Sequence, residues 1–329
     1  MAKLWKSNLG YSAFRVYVDC ITRLCFLRFR TSGKERSKGE PGTVTIFACN
    51  HCCALSDAIV MLVAYDGPVS FGARADIFRK KTVSDVLRWL RIVPISRLRD
   101  GLSEVAKNFA VFDEVVDVVD HGVPFCLYVE GTHRPERGLQ PVQKGVCRIA
   151  ARAEELLEGK KVRIVPVGIA YSDFFDHMND VTVRYGSPIL CNGLDAAAIQ
   201  EQIATQLLDL IRDYPRRKPL PVLPAVLVSV LTLPLFVACA MLCLPMIAVA
   251  ACLRPRFSAT PKQFAWMNTV RFAAKLVLMP LLLLGWGIPA FNLLPWWGAL
   301  LVLLAVFFSH SGFYLLLGLY KETLKLFKK

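Results

Sequence analysis

Residues 47–60 read FACNHCCALSDAIV and place Cys49, His51, Cys52, Cys53 and Asp57 within a single short segment. Three chemistries fit these side chains. Cys49 and Cys52 form a C-x-x-C pair, as in zinc and dithiol sites, but a structural zinc site takes two further ligands at similar spacing. The next cysteine is Cys126, alone, and His121, His133, His177 and His310 are scattered. A second chemistry makes Cys52 or Cys53 a nucleophile, because a neighbouring imidazole lowers a thiol pKa. Side chains of adjacent residues diverge, however, and no third, orienting group is evident. The third chemistry needs only His51 and Asp57. A short turn into a helix would bring the carboxylate under the imidazole, hold one ring nitrogen protonated and leave the other as a base. Asp57 could equally serve as a cap for the helix that follows.

The elements that must position these residues come from the hydrophobic patterning. From 43 to about 190, short β-rich runs (TVTIFAC, PVSFGA, RIVPI, PFCLYVE, VRIVPVGIA, VTVRYGSPI) alternate with helical stretches. The helices LSEVAKNFAVFDEVVDVVDHG and GVCRIAARAEELLEG show apolar residues at three- and four-residue spacing. Strands alternating with helices predict an α/β sheet with helices on both faces. In such sheets chemistry sits in the loops after strand ends. CNHCCALSD and EGTHRPERG both follow strands directly.

Composition separates this region from its flanks. The chain of 329 residues is 54% hydrophobic and 20% charged, with a net charge of +14. Residues 1–31 mix aromatics with arginines and lysines, as a helix lying in a membrane interface does. An ordinary amphipathic helix covering a sheet fits the same composition. TSGKERSKGEPG is a polar connector. Residues 221–329 contain one acid, Glu322, against nine Lys and Arg, and the runs 222–253 and 276–320 carry no charge. Basic clusters flanking long apolar runs are the pattern of an anionic membrane surface rather than of a nucleic-acid interface. A spanning helix takes about 20 residues, so the second run makes a hairpin of two crossings. The first, interrupted by Pro224, Pro234 and Pro245, suits a shallow re-entrant dip. The division is then 1–42 (interface helix and linker), 43–220 (catalytic) and 221–329 (membrane). The N-terminus shows no cleavable signal pattern, and eleven cysteines in such a chain are expected to be reduced thiols in a cytosolic setting.

Four blocks in order, N-H-x5-D (Asn50, His51, Asp57), VPISR (93–97), EGT (130–132) and VPVGI (165–169), resemble those of the glycerophospholipid acyltransferase family, in its variant with five residues between histidine and aspartate. The resemblance covers residues 43–195. It implies an α/β fold with a mixed sheet flanked by helices, carrying C-terminal transmembrane or re-entrant helices. It further implies O-acyl transfer from acyl-CoA or acyl carrier protein to a lysophospholipid, 1-acyl-glycerol-3-phosphate, at the cytoplasmic face of the inner membrane. No metal or other cofactor is required.

The family's base falls on His51, with Asp57 orienting it. Pro94 and Arg97 match the second block, whose arginine is expected to bind the acceptor phosphate. Glu130, Gly131 and Thr132 match the third, and Pro166 the fourth. The chain departs from the family in having Val129 before the glutamate and His133 where arginine is common, so Arg74, Arg134 and Lys144 are further candidates for the phosphate. Arginine's planar fork suits that group. Rival readings are acylation of glycerol 3-phosphate or of a hydroxylated N-acyl amino-acid lipid, a thioesterase using Cys52 or Cys53, and a non-catalytic membrane scaffold.

Overall fold

The computed structural model describes residues 4–6, 9–96, 108–214 and 221–327. Arg97 lies outside them, as does the start of the helix expected from residue 102.

Helix α1 (Leu9–Arg23) leads into strand β1 (Arg28–Ser32), and β2 (Thr43–Cys49) follows a single helical turn. Next come α2 (Leu55–Ala64), β3 (Ser70–Arg74), α3 (Lys81–Trp89), β4 (Ile92–Ile95), α4 (Asn108–Asp120) and β5 (Phe125–Tyr128). Helix α5 (Gly145–Leu156), the long β6 (Lys161–Tyr171), β7 (Asp180–Tyr185), β8 (Ile189–Leu190) and α6 (Ala196–Arg212) complete the α/β part. The sheet order is β1-β7-β6-β2-β5-β3-β4, with β8 also on β6. Strands β7 and β8 run antiparallel to β6, and the other pairings are parallel. The sheet is therefore mixed.

Alternation along the strands sets the two faces. In β2, Val44, Ile46 and Ala48 pack with α4, α5 and α6, whereas Phe47 and Cys49 pack with α2. Helix α6 comes so close to β6 that a Cβ at Gly168 would lie 2.6 Å from Leu210 Cβ.

Residues 28–32, expected in the interface segment and linker, are instead an edge strand, paired in parallel with β7 from Arg28↔Asp180 to Ser32↔Arg184. Four of its five residues are exposed, so no apolar alternation marks it. The stretch VTVRYGSPI divides into β7 and β8.

Beyond residue 220 the chain is helical. The first apolar run forms α7 (Val222–Leu231), α8 (Leu233–Leu242) and α9 (Leu244–Leu253), with a proline in the first turn of α8 and of α9 and a 52° bend between α7 and α8. Proline fits the first turn, where no intrahelical N–H bond is lost, and cannot continue the preceding helix. The second run forms α10 (Trp266–Leu293) and α11 (Trp296–Leu326), both long and apolar enough to cross a membrane. Helices α7 and α8 descend along α11: Ser229 meets Thr323 at 3.1 Å, Thr232 meets Tyr320 at 3.1 Å, and Phe236 stacks on Phe313. Cys239 reaches Gly312. From Thr323 to Gly312 is about 16 Å along the helix, roughly two-fifths of the way to the turn at 294–295. After α9 the chain returns through Phe264, beside Phe175, to Trp266. The first run therefore begins and ends at the same end of the α10–α11 hairpin.

Candidate active site

Strands β2, β3, β4, β5 and β6 are mutually parallel, so their C-terminal ends share one edge of the sheet. The loops after β2 and β5, which are hydrogen-bonded neighbours, bring His51 and Glu130 together there. Asn50 fixes the first loop to β6, donating from Nδ2 to the Ile169 carbonyl at 3.0 Å and accepting from its N–H at 2.7 Å. The loop then turns sharply into α2 through Ala54, whose φ of 49° is strained for an L-residue.

Asp57, in the first turn of α2, is fully buried. Its Oδ2 lies 2.7 Å from His51 Nδ1 and accepts the N–H groups of Cys52 and Cys53 at 2.9 and 2.8 Å. Its Oδ1 accepts the Tyr171 hydroxyl at 2.9 Å. A buried carboxylate without such donors would cost several kcal/mol. Because Oδ2 is occupied as an acceptor by two backbone N–H groups, the His51 bond is satisfied when Nδ1 is the donor. Nε2 then carries the free lone pair. The carboxylate reaches back to the loop rather than capping α2, whose own cap, Ala54, has no side-chain bond.

The imidazole is about one-fifth exposed and stacks on Tyr128 at 4.4 Å between centroids. It borders a cavity of about 320 Å³, lined mainly by apolar side chains from α2, β3, β4 and β5 together with Arg74, Thr132 and His133. The lining includes Trp266, the first residue of α10, perpendicular to His133 at 5.8 Å; His133 in turn lies 5.7 Å from His51.

The other sequence candidates separate. Gly131 and Thr132 line the cavity, and Gly131, at φ 67°, makes the turn that carries them there. Glu130 does not line it. Its buried carboxylate accepts the His51 N–H at 2.8 Å through Oε1 and the Gln140 side-chain amide at 2.7 Å through Oε2. Burial raises the Glu130 pKa, against the opposing pull of those donors. Arg74 lines the cavity and pairs with Asp76. Arg134 gives only its backbone N–H to the His51 carbonyl, at 3.1 Å, while its exposed side chain pairs with Glu136. Lys144 is exposed at the start of α5, away from the cavity lining. Pro166 sits within β6, in register with Ala48.

The thiol chemistry fares poorly. Cys49, Cys52 and Cys53 are buried. The hydrogen bond to Cys53, burial and the Asp57 charge hold the Cys52 thiol well above its usual range, and burial raises Cys53 as well. A thiolate is disfavoured at both. Cys52, Cys53 and Asp57 bring potential metal-ligand atoms within 4.8 Å of one another. Asp57 Oδ2 already accepts three hydrogen bonds, however, and protonated thiols are poor ligands.

Tyr171, Tyr128, Gln140 and Trp266 were not singled out from sequence. Tyr128 lies in PFCLYVE, the strand read as leading into EGTHRPERG, and Tyr171 directly follows VRIVPVGIA; Trp266 carries no local signal.

Residues 28–170, from β1 almost to the end of β6, match the family model described as acyltransferase. Among solved structures, the chain is similar to the 1-acyl-sn-glycerophosphate (LPA) acyltransferase PlsC from Thermotoga maritima, with 17% identity and a TM-score of 0.46, over 63% of this chain and 81% of that one. No curated protein sequence matches it significantly. The segment that matches the acyltransferase model holds both halves of the His51–Asp57 pair.

Proposed function

We propose that the protein is a membrane-embedded O-acyltransferase that moves a fatty acyl chain from acyl-CoA or acyl carrier protein to the hydroxyl of 1-acyl-glycerol-3-phosphate, giving phosphatidic acid. The observation that carries this reading is the His51–Asp57 pair at the border of an apolar cavity whose wall, Trp266, opens the apolar hairpin. His51 Nε2 takes the proton of the acceptor hydroxyl as that oxygen attacks the thioester carbonyl. The tetrahedral intermediate collapses, the C–S bond breaks, and the departing sulfur takes the proton from the imidazolium. Asp57 holds the ring and stabilises its transient positive charge. Arg97 and Arg74 are the cations assigned to the acceptor phosphate.

The test is acyl transfer by purified protein with acyl-CoA and acyl carrier protein donors against 1-acyl-glycerol-3-phosphate, glycerol 3-phosphate and hydroxylated N-acyl amino-acid lipids. Phosphatidic acid is the expected main product. Arg97→Ala and Arg74→Ala are each expected to raise the acceptor KM about tenfold or more, the loss of ~1.5–3 kcal/mol from a charged hydrogen bond, and to leave the donor KM unchanged. Preference for another acceptor, with no effect of either arginine, would overturn the assignment.

Membrane placement is tested by impermeant thiol labelling, with the exposed Cys20 and Cys252 removed. Glu35→Cys and Ser258→Cys should label from the active-site side and Asn292→Cys from the opposite side. Ala238→Cys, exposed on the protein surface, should resist labelling from both sides if α7–α9 form a dip in the bilayer. Labelling of position 258 from the far side would make the first run a spanning segment.

A further inference from the structure

Helix α3 is amphipathic, yet none of its residues is buried. Its apolar stripe is Val83, Val86, Leu87 and Leu90; Val83 is 40% exposed and Val86 56%. An amphipathic helix ordinarily turns such a stripe into its own core. Arg79, Lys80 and Lys81 precede the stripe and are exposed. Asp85 pairs with Lys81 and Asp76 with Arg74, so Arg79 and Lys80 have no acidic partner among the described residues. An exposed apolar stripe beside unpaired cations is the composition of a helix that lies on an anionic lipid surface.

The position of α3 in the fold points to the same partner. Tyr17 donates to the Leu276 carbonyl at 2.7 Å, and the Leu24 carbonyl accepts from Lys275 at 3.0 Å. Both contacts hold the C-terminal half of α1 and the residue after it against α10 around residues 275 and 276. The other half of α1 carries Tyr11 and Phe14, which pack on Trp89 at the end of α3 at 5.9 and 5.3 Å. From Leu276 to the end of α10 at Leu293 is about 26 Å, close to the ~30 Å of a bilayer core. With the hairpin inserted, α1 and the Trp89 end of α3 lie near the bilayer surface. Ile77, just before α3, lines the catalytic cavity, as Trp266 does.

We propose that α3, with Arg79 and Lys80, is a second membrane-docking element that seats the rim of the catalytic cavity on anionic lipid. The placement of α3 near the bilayer rests on the hairpin being inserted; the exposed stripe and its cations do not. The test uses the full chain reconstituted in vesicles of phosphatidylcholine, with and without phosphatidylglycerol. An environment-sensitive dye is placed at Val86→Cys in a Cys20→Ser/Cys252→Ser background. With phosphatidylglycerol its emission should shift to the blue and be quenched by lipids spin-labelled near the headgroup. Arg79→Glu/Lys80→Glu should reverse the shift. In unlabelled protein, Val83→Ser/Val86→Ser should lower the rate severalfold on vesicle-borne acceptor and leave it unchanged on a water-soluble short-chain acceptor.

Emission like that in water, with quenching by iodide, would overturn the proposal. So would protection from both iodide and spin-labelled lipid, which would mean that protein covers the stripe. The same dye at Leu301→Cys reports the hairpin separately. If that probe is water-exposed while position 86 is quenched by lipid, insertion fails and docking of α3 stands.

Discussion

His51→Ala is expected to lower kcat for acyl transfer by about 10²–10⁴-fold, the usual contribution of a positioned general base, with the fold intact. The side chain is partly exposed and its removal orphans no buried donor; the Asp57 carboxylate loses one donor and keeps two backbone N–H groups and the Tyr171 hydroxyl. Asp57→Ala is the more disruptive variant, because it strips a partner from four donors at a fully buried position. Asp57→Asn separates catalysis from folding. Its amide oxygen can still accept at the Oδ2 position, but the negative charge that stabilises the imidazolium is gone, so turnover should fall while the thermal midpoint moves little. Replacing Cys49, Cys52 and Cys53 together supplies the contrast. Alanine is preferable to serine here, since a hydroxyl at these buried positions would need a partner. The triple alanine variant should lose stability and retain most of its turnover per folded molecule. Loss of turnover in that variant with the thermal midpoint preserved, together with an active His51→Ala enzyme, would move the chemistry from the imidazole to a thiol.

The His51–Asp57 pair was legible before the fold because its geometry is local. Six residues, a tight turn and one helical turn bring the carboxylate to the ring, and the chain has few other ways to place them. The class of the sheet was legible from alternating apolar runs, and the breaks in the first apolar run from its prolines. Strand β1 was not, because an edge strand with one half-buried residue carries no periodic signal. Trp266 was not, because it reaches the cavity through a contact with His133 across more than a hundred residues of chain. The Arg74, Arg134 and Lys144 group shows a third limit. Sequence places three cations near strand ends and loops, but only the turn geometry decides which one lines the cavity.

Glu130 is where sequence and structure assign different work to the same motif residue, and the difference is measurable. As a substrate contact it would affect the acceptor KM first. In the structure its two oxygens instead join the loop after β5 to the loop after β2, through the His51 N–H and through Gln140. With His51 as the proposed base, Glu130 is a positioning residue rather than a substrate contact. Glu130→Ala leaves the buried His51 N–H without a partner, a cost of about 1–3 kcal/mol, and frees the loop that sets the ring against Tyr128. The expected result is a fall in kcat of roughly fivefold to 150-fold, as that free energy would give if it all appeared in the barrier, with the acceptor KM within about twofold of wild type. Glu130→Gln should fall between the two. Its amide oxygen can accept from His51, but its NH₂ then faces the donors of Gln140, so one of the two connections is lost. Gln140→Ala should reproduce the smaller effect, because it removes a side-chain donor and leaves the His51 bond in place. A rise in acceptor KM at constant kcat in Glu130→Ala would instead put the carboxylate in contact with the lipid headgroup.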